Sequence, residues 1–248
     1  MGRRSAAVAL VVVALAAAMF LLLAGNQLRR DTSALVTVDR PPSRDQLALG
    51  VVLLALAAGT DSHLVAVGRQ ELPAWIDGFK RWGSGKTANV IGASLVADGL
   101  ARGKRRVLIG GLTLLEGNLL LGTVVDASKE AYGRVRPNHP GAGAWFAGGD
   151  SFPSSHAAHA FLIASVIDET FQKPEWRWVI YAMATGVALH RVHEGVHYPT
   201  DVLAGGVLGW WVGHRLSVIH GLVERPRQEA ASSVSRPSDR WLVAYASF

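Results

Sequence analysis

Apolar residues in this chain come in long runs of helical character, broken by charged and by glycine- or proline-containing stretches. The first run, Ala6 to Gly25, is 20 residues without a polar interruption, with Arg3 and Arg4 before it and Arg29 and Arg30 after it. That length crosses a bilayer as a helix, so residues 1–30 are predicted to be an N-terminal transmembrane anchor. A cleaved signal peptide, with the mature chain starting near Asn26, is the alternative. Residues 31–45, with Pro41 and Pro42, read as a linker. Later runs predict helices over Gln46–Thr60, Ala88–Ala101, Val107–Val125, Ala157–Thr170, Trp178–Leu189 and Val202–Ile219. Only the third and last are comfortably long enough to span a membrane; runs of about 10–14 residues belong more often to buried core helices. Residues 46–222 are therefore read as one helical domain, either a bundle tethered by a single anchor or a thin six-helix membrane protein. Residues 223–248 form a tail whose stretch "PRQEAASSVSRPSD" has a disordered composition.

Composition narrows the function. Of 248 residues, 50% are apolar and 18% charged, a balance between a soluble enzyme and a many-spanning membrane protein. The absence of cysteine excludes disulfides, thiolate metal sites and a cysteine nucleophile. The net charge of +6 suits an anionic substrate or an anionic lipid surface. No basic stripe with interleaved aromatics supports a nucleic-acid partner. If the bundle crosses a membrane, Lys104, Arg105, Arg106, Lys173, Arg177, Arg215, Arg225 and Arg227 fall on one side, and Lys129, Arg134, Arg136 and Arg191 on the other. The richer side is expected to be cytoplasmic, which leaves the chemically interesting loops facing away from the cytoplasm.

The stretch "HRVHEGVHYPTD", residues 190–201, carries two incompatible motifs. His193, Glu194 and His197 make the H-E-x-x-H pattern of zinc proteases, which works when both histidines share one face of a continuous helix. Gly195 lies inside the pattern and Pro199 just beyond it. A proline there clashes with the carbonyl four residues back and is favoured at a helix start. A helix beginning at Pro199 leaves the histidines on a turn, and zinc is the poorer reading.

The other motif needs three distant stretches together. In "KEAYGRVRP", Lys129 and Arg136 are seven residues apart, so a continuous helix would present both from one face. Two cations there can grip the non-bridging oxygens of a phosphoryl group. In "GGDSFPSSHAAHAF", Ser154 and Ser155 precede an apolar helix. They are read either as ordinary N-caps or as part of an anion site at a helix start. His156 in that first turn is placed to hand a proton to a leaving oxygen, whereas His159 reads as structural. In the third stretch, His197 is placed to attack phosphorus through one ring nitrogen while Asp201 accepts from the other. The bland reading of Asp201 is an acid opposing the helix dipole. Arg191 adds a third cation for the charge on the equatorial oxygens.

Taken together, these stretches resemble the signature of the type 2 phosphatidic acid phosphatase superfamily, which includes lipid phosphate phosphatases, bacterial acid phosphatases and vanadium haloperoxidases. The pattern K-x6-R-P is met by Lys129, Arg136 and Pro137. P-S-G-H is met by Pro153, Ser154 and His156, with Ser155 in place of glycine. S-R-x5-H-x3-D is met by Arg191, His197 and Asp201, with His190 in place of serine. The resemblance covers roughly residues 88–220, its signature region being 126–202. It implies an all-α helical bundle and a phosphatase acting on monoesters or diphosphates, with lipid or isoprenoid phosphates at the cell envelope as substrates. By the same resemblance His197 forms a phosphohistidine and His156 serves as acid and then base. Lys129, Arg136, Arg191 and the Ser154/Ser155 backbone hold the phosphoryl oxygens. No metal and no cofactor are implied, except vanadate under a haloperoxidase alternative. A non-catalytic phospholipid-binding envelope protein is the third reading. Trp145 and Phe146, in the glycine-rich loop after Pro137, are expected to pack the loop or to meet the site entrance and bilayer interface.

Overall fold

A computed structural model describes residues 61–62, 65–66 and 74–223. The expected anchor, the linker, the helix over Gln46–Thr60 and most of the tail lie outside the described residues. A short 3-10 helix, Ala74–Phe79, precedes five α-helices: α1 Gly85–Ala101, α2 Arg105–Tyr132, α3 Ser155–Phe171, α4 Pro174–His193 and α5 Pro199–Ile219. Among the described residues there is no strand, so the all-α expectation holds. Each predicted run in this region falls inside one helix, and α5 starts at the proline that favours a first helical turn.

The helix ends follow from local chemistry. The Ser84 hydroxyl accepts from the Thr87 amide and starts α1. Gly133, with φ of 50°, closes α2 in the left-handed region and donates to the Lys129 carbonyl. Here the structure corrects an expectation. Lys129 lies in the last turn of α2, but Arg136 lies beyond the break and does not share a helical face with it. Arg106 seals the far end of the bundle, donating to the Thr170, Glu169 and Leu222 carbonyls.

Helix α3 is the central rod. Nearly all of its residues from Ala157 to Thr170 are buried, and it packs against α2, α4 and α5. Phe161 and Leu162 fill its two flanks, one facing Tyr181 and Val202, the other facing Leu114 and Leu121. Burial of each such side chain stabilises the fold by about 1.5–3 kcal/mol. The α3–α5 contact is unusually close because α5 offers glycine. A Cβ on Gly209 would lie 1.9 Å from the Ala158 carbonyl oxygen, and one on Gly205 would lie 2.4 Å from that of Ser154. This approach brings the first turns of α3 and α5 together, and the Ser154 amide donates to the Asp201 carbonyl at 2.9 Å. The C-terminal ends of α2 and α4 and the N-terminal ends of α3 and α5 thus meet at one pole. The cations Arg105, Arg106, Lys173, Arg177 and Arg215 belong to helix ends at the other.

Among the described residues two helices, α2 and α5, are long and apolar enough to cross a membrane. On α2, Leu112, Leu119, Leu120 and Val124 are exposed. Their spacing keeps them on one side of the helix.

Candidate active site

Helix α4 ends at His193, Glu194 caps it, and Gly195 turns the chain with φ of 65° before α5 begins. His193 and His197 therefore share no helix, and the geometry an H-E-x-x-H zinc site requires is broken. The turn instead drives His197 into the pole of the bundle, where it is 2% exposed.

The His197 Nδ1 atom lies 2.8 Å from the Ser151 carbonyl oxygen and 3.5 Å from Asp201 Oδ2. Both neighbours are acceptors, so Nδ1 must carry the proton, and Nε2 is left as the unprotonated, nucleophilic nitrogen. The direct hydrogen bond goes to the backbone carbonyl, and the carboxylate stands just behind it. This refines the expected Asp201–His197 pair. Burial holds the His197 pKa below its ordinary value, opposed by Asp201 and assisted by Arg136 and Arg191. The ring is neutral at neutral pH, as a nucleophile must be.

Asp201 is fully buried and fully engaged. One oxygen accepts from Arg134 at 2.6 Å; the other accepts from the Ser151 hydroxyl and the Tyr198 amide. Asp201 thus accepts from the N-cap amide of its own helix, as the helix-start reading expects, and also stands behind the His197 ring. Arg134 was missed as a site residue. Its guanidinium donates to Thr200 Oγ1 and Asp61 Oδ2, each at 2.7 Å, and lies between the rings of Tyr198 (3.9 Å) and Trp145 (4.5 Å). The only signal was a second arginine two residues before Arg136 in "GRVRP". Asp61 and Ser151 carried none, because their roles depend on contacts across long sequence separations.

Two cations, Arg136 and Arg191, stand near enough to His197 to oppose its protonation, and Arg136 acts on Arg191. Lys129, Arg136 and His197 all act on Asp150 in the loop between α2 and α3. Arg136 donates through Nε and an Nη to the two Asp150 oxygens at 2.7 and 2.8 Å. An open cleft of about 290 Å³ adjoins this pair, lined by Val135, Arg136, His139, Pro140, Gly148 and Asp150. Arg191 is buried at the end of α4; one Nη meets Glu194, while its Nε is buried without a hydrogen-bond partner.

His156 stands in the first turn of α3, half-buried, with its pKa lowered to about 4 by burial and then by Arg191 and His197. The Ser154 hydroxyl is buried and has no hydrogen-bond partner. The Ser154 amide is taken by Asp201, so this residue offers an oxyanion its hydroxyl rather than its N–H. Ser155, His156 and Ala157 supply the free first-turn amides of α3. His159 bonds the Ser155 carbonyl at 2.7 Å and plays the structural part expected of it. His190, also buried, lies 3.5 Å from Asp77 and 3.7 Å from Glu194, and burial lowers its pKa. A neutral ring therefore stands beside Arg191. Trp145 packs on Tyr132, Phe152 and Arg134, whereas Phe146 is 77% exposed.

This geometry agrees with the relationships of the chain. Residues 110–223 match the PAP2 superfamily. The Bacitracin transport permease protein BcrC of Bacillus licheniformis is 36% identical over 101 residues, covering 37% of this chain and 49% of that protein. The chain thus spans about half the length of that relative. A lipid A 1-phosphatase of Rhizobium etli is 28% identical over 205 residues, covering 73% of this chain and 87% of that protein. The crystal structure of a transmembrane PAP2-type phosphatidylglycerolphosphate phosphatase from Bacillus subtilis superposes with a TM-score of 0.50 at 22% identity. It covers 72% of this chain and 97% of that one. The chain therefore shares the helical fold of that structure.

Proposed function

We propose that this chain is a metal-independent phosphatase that hydrolyses phosphate monoesters or diphosphates of lipids or isoprenoids at the cell envelope, through a phosphohistidine on His197. The observation that carries this reading is the His197 ring. Its Nδ1 proton is held by Ser151 and Asp201, and Nε2 is free among Arg136, Arg191 and His156.

The substrate phosphoryl oxygens are held by Lys129, Arg136, Arg191, the Ser154 hydroxyl and the first-turn amides of α3 at Ser155. His197 Nε2 attacks phosphorus while the bond to the leaving oxygen breaks, and His156 gives that oxygen its proton. In the empty site His156 is held neutral by burial and by Arg191. A bound phosphoryl anion offsets the arginine field and returns the ring toward the protonated form. The second step reverses the roles. Neutral His156 takes a proton from water, the water oxygen bonds to phosphorus, and the P–N bond breaks with its electrons returning to Nε2. Asp201 and the Ser151 carbonyl stabilise the imidazolium that forms at His197 when it becomes phosphorylated. The three cations and the amides meet the charge on the equatorial oxygens, so no cofactor is needed.

A lipid substrate is supported by the exposed apolar side of α2 and by the name of the Rhizobium etli relative. The basic helix ends lie at the pole opposite His197, which supports an active site facing away from the cytoplasm. The test is phosphate release from a panel of lipid phosphates, isoprenoid diphosphates and soluble esters with EDTA present, wild type beside His197→Ala. Release by the wild type and its loss in the variant are expected; full activity in the variant rejects the mechanism.

A further inference from the structure

The two arginines of the site are engaged in different ways. Arg191 gives one Nη to Glu194 and keeps its buried Nε without a partner, so its side-on edge stays open for an oxyanion. Arg136 does the opposite. Its Nε and one Nη, the edge that suits a bidentate anion, are both spent on the two oxygens of Asp150 at 2.7 and 2.8 Å.

Asp150 is not an incidental surface acid. It immediately precedes Ser151, the residue that holds both His197 and Asp201. The Ser151 amide is in turn tied to the Arg134 carbonyl at 2.9 Å, and the Gly149 amide to that of Gly133 at 2.9 Å. The loop thus delivers the Asp150 carboxylate to Arg136 from a fixed base, while the side chain itself is 60% exposed and free to swing out. That carboxylate also lies in the fields of Lys129 and His197, and Arg136 holds its pKa below the ordinary carboxylate value. An anion in contact with Arg136 and influenced by Lys129 and His197 stands where a phosphoryl group would stand.

We propose that Asp150 is a placeholder for the phosphoryl group, occupying the Arg136 fork in the empty site and competing with every phosphate that enters. This rests on the phosphate-site reading above. A phosphate must displace the carboxylate, so affinity for substrate and for product is lower than the cation cluster would otherwise give. The benefit is turnover: the returning carboxylate helps to expel inorganic phosphate, the product that a strongly cationic pocket would retain.

The test is calorimetric titration of inorganic phosphate into the full chain in detergent micelles, at neutral pH and fixed ionic strength. It compares wild type with Asp150→Asn, Asp150→Ser and Asp150→Glu. Loss of an ion pair this exposed is expected to tighten phosphate binding by about fivefold in the Asn and Ser variants. The Glu variant, which keeps the charge, stays near wild type. Unchanged or weaker binding by both neutral variants overturns the proposal and makes Asp150 a brace for Arg136. Failure of all four proteins to bind phosphate overturns the phosphate-site reading itself, and the placeholder with it.

Discussion

Arg134→Met probes the part of the site that a motif comparison does not reach. The methionine is close in length to the arginine it replaces but has no charge and no donors. In the native protein the guanidinium is 3% exposed, bonds Asp201 at 2.6 Å and Asp61 at 2.7 Å, and those two carboxylates are 0% and 1% exposed. Removing it leaves two buried carboxylates without their cation, a loss that typically costs about 3–5 kcal/mol. The lower figure is expected, because burial already holds the Asp61 carboxyl above its ordinary pKa and it can take up a proton. A cost of about 3 kcal/mol lowers the melting temperature by roughly 6–12 °C in a protein of this size. Circular dichroism of the full chain in detergent reads the melt. Asp61→Asn in the Arg134→Met background should recover part of the loss, since one orphaned charge is then gone. Turnover should fall as well, with kcat reduced more than KM rises, because Asp201 loses the partner that fixes it behind His197. A variant with the wild-type melting temperature and wild-type kcat would refute this account of Arg134.

Other expectations follow from the same contacts. Gly209→Ala forces a methyl group to within 1.9 Å of the Ala158 carbonyl oxygen; a loss of at least about 2 kcal/mol is expected in chemical denaturation, and an unchanged midpoint contradicts the close α3–α5 approach. His156 has a folded pKa of about 4 against an ordinary value of 6.5, so the unfolded chain binds the extra proton first. Stability is then complete above pH 6.5 and is lost as pH falls from 6.5 toward 4. His156→Gln should flatten that slope in melts taken across this window, and a wild-type melting temperature constant from pH 7 to 5 would count against it. Phe146→Ala should lower the rate on lipid phosphates in vesicles and leave a small soluble ester unaffected; equal effects on both would mean that this exposed ring meets no bilayer.

Much of the helical architecture was legible in the chain, because each long apolar run between breakers had room for only one helix. The break between α4 and α5 was legible too, from Gly195 and Pro199. The turn at Gly133 was not: counting seven residues from Lys129 to Arg136 assumed a continuous helix, and a left-handed glycine interrupts it. The candidates Lys129, Arg136, Ser154, Ser155, His156, Arg191, His197 and Asp201 could be picked out by type, order and spacing. Arg134, Asp61, Ser151 and Asp150 could not. A buried arginine and a surface arginine look alike in a sequence, and the Asp61–Thr200 contact joins positions 139 apart. The hydrogen bond that settles the tautomer of His197 is accepted by the Ser151 backbone carbonyl, which no side-chain motif records.

The central claim is that His197 Nε2 becomes bonded to phosphorus. The direct measurement is rapid quenching of the full chain during turnover of a 32P-labelled substrate, followed by peptide mapping of the acid-labile, base-stable label. The label is expected on the peptide containing His197 and absent in His197→Ala. Label on another residue, or turnover that continues in the variant, would contradict the account.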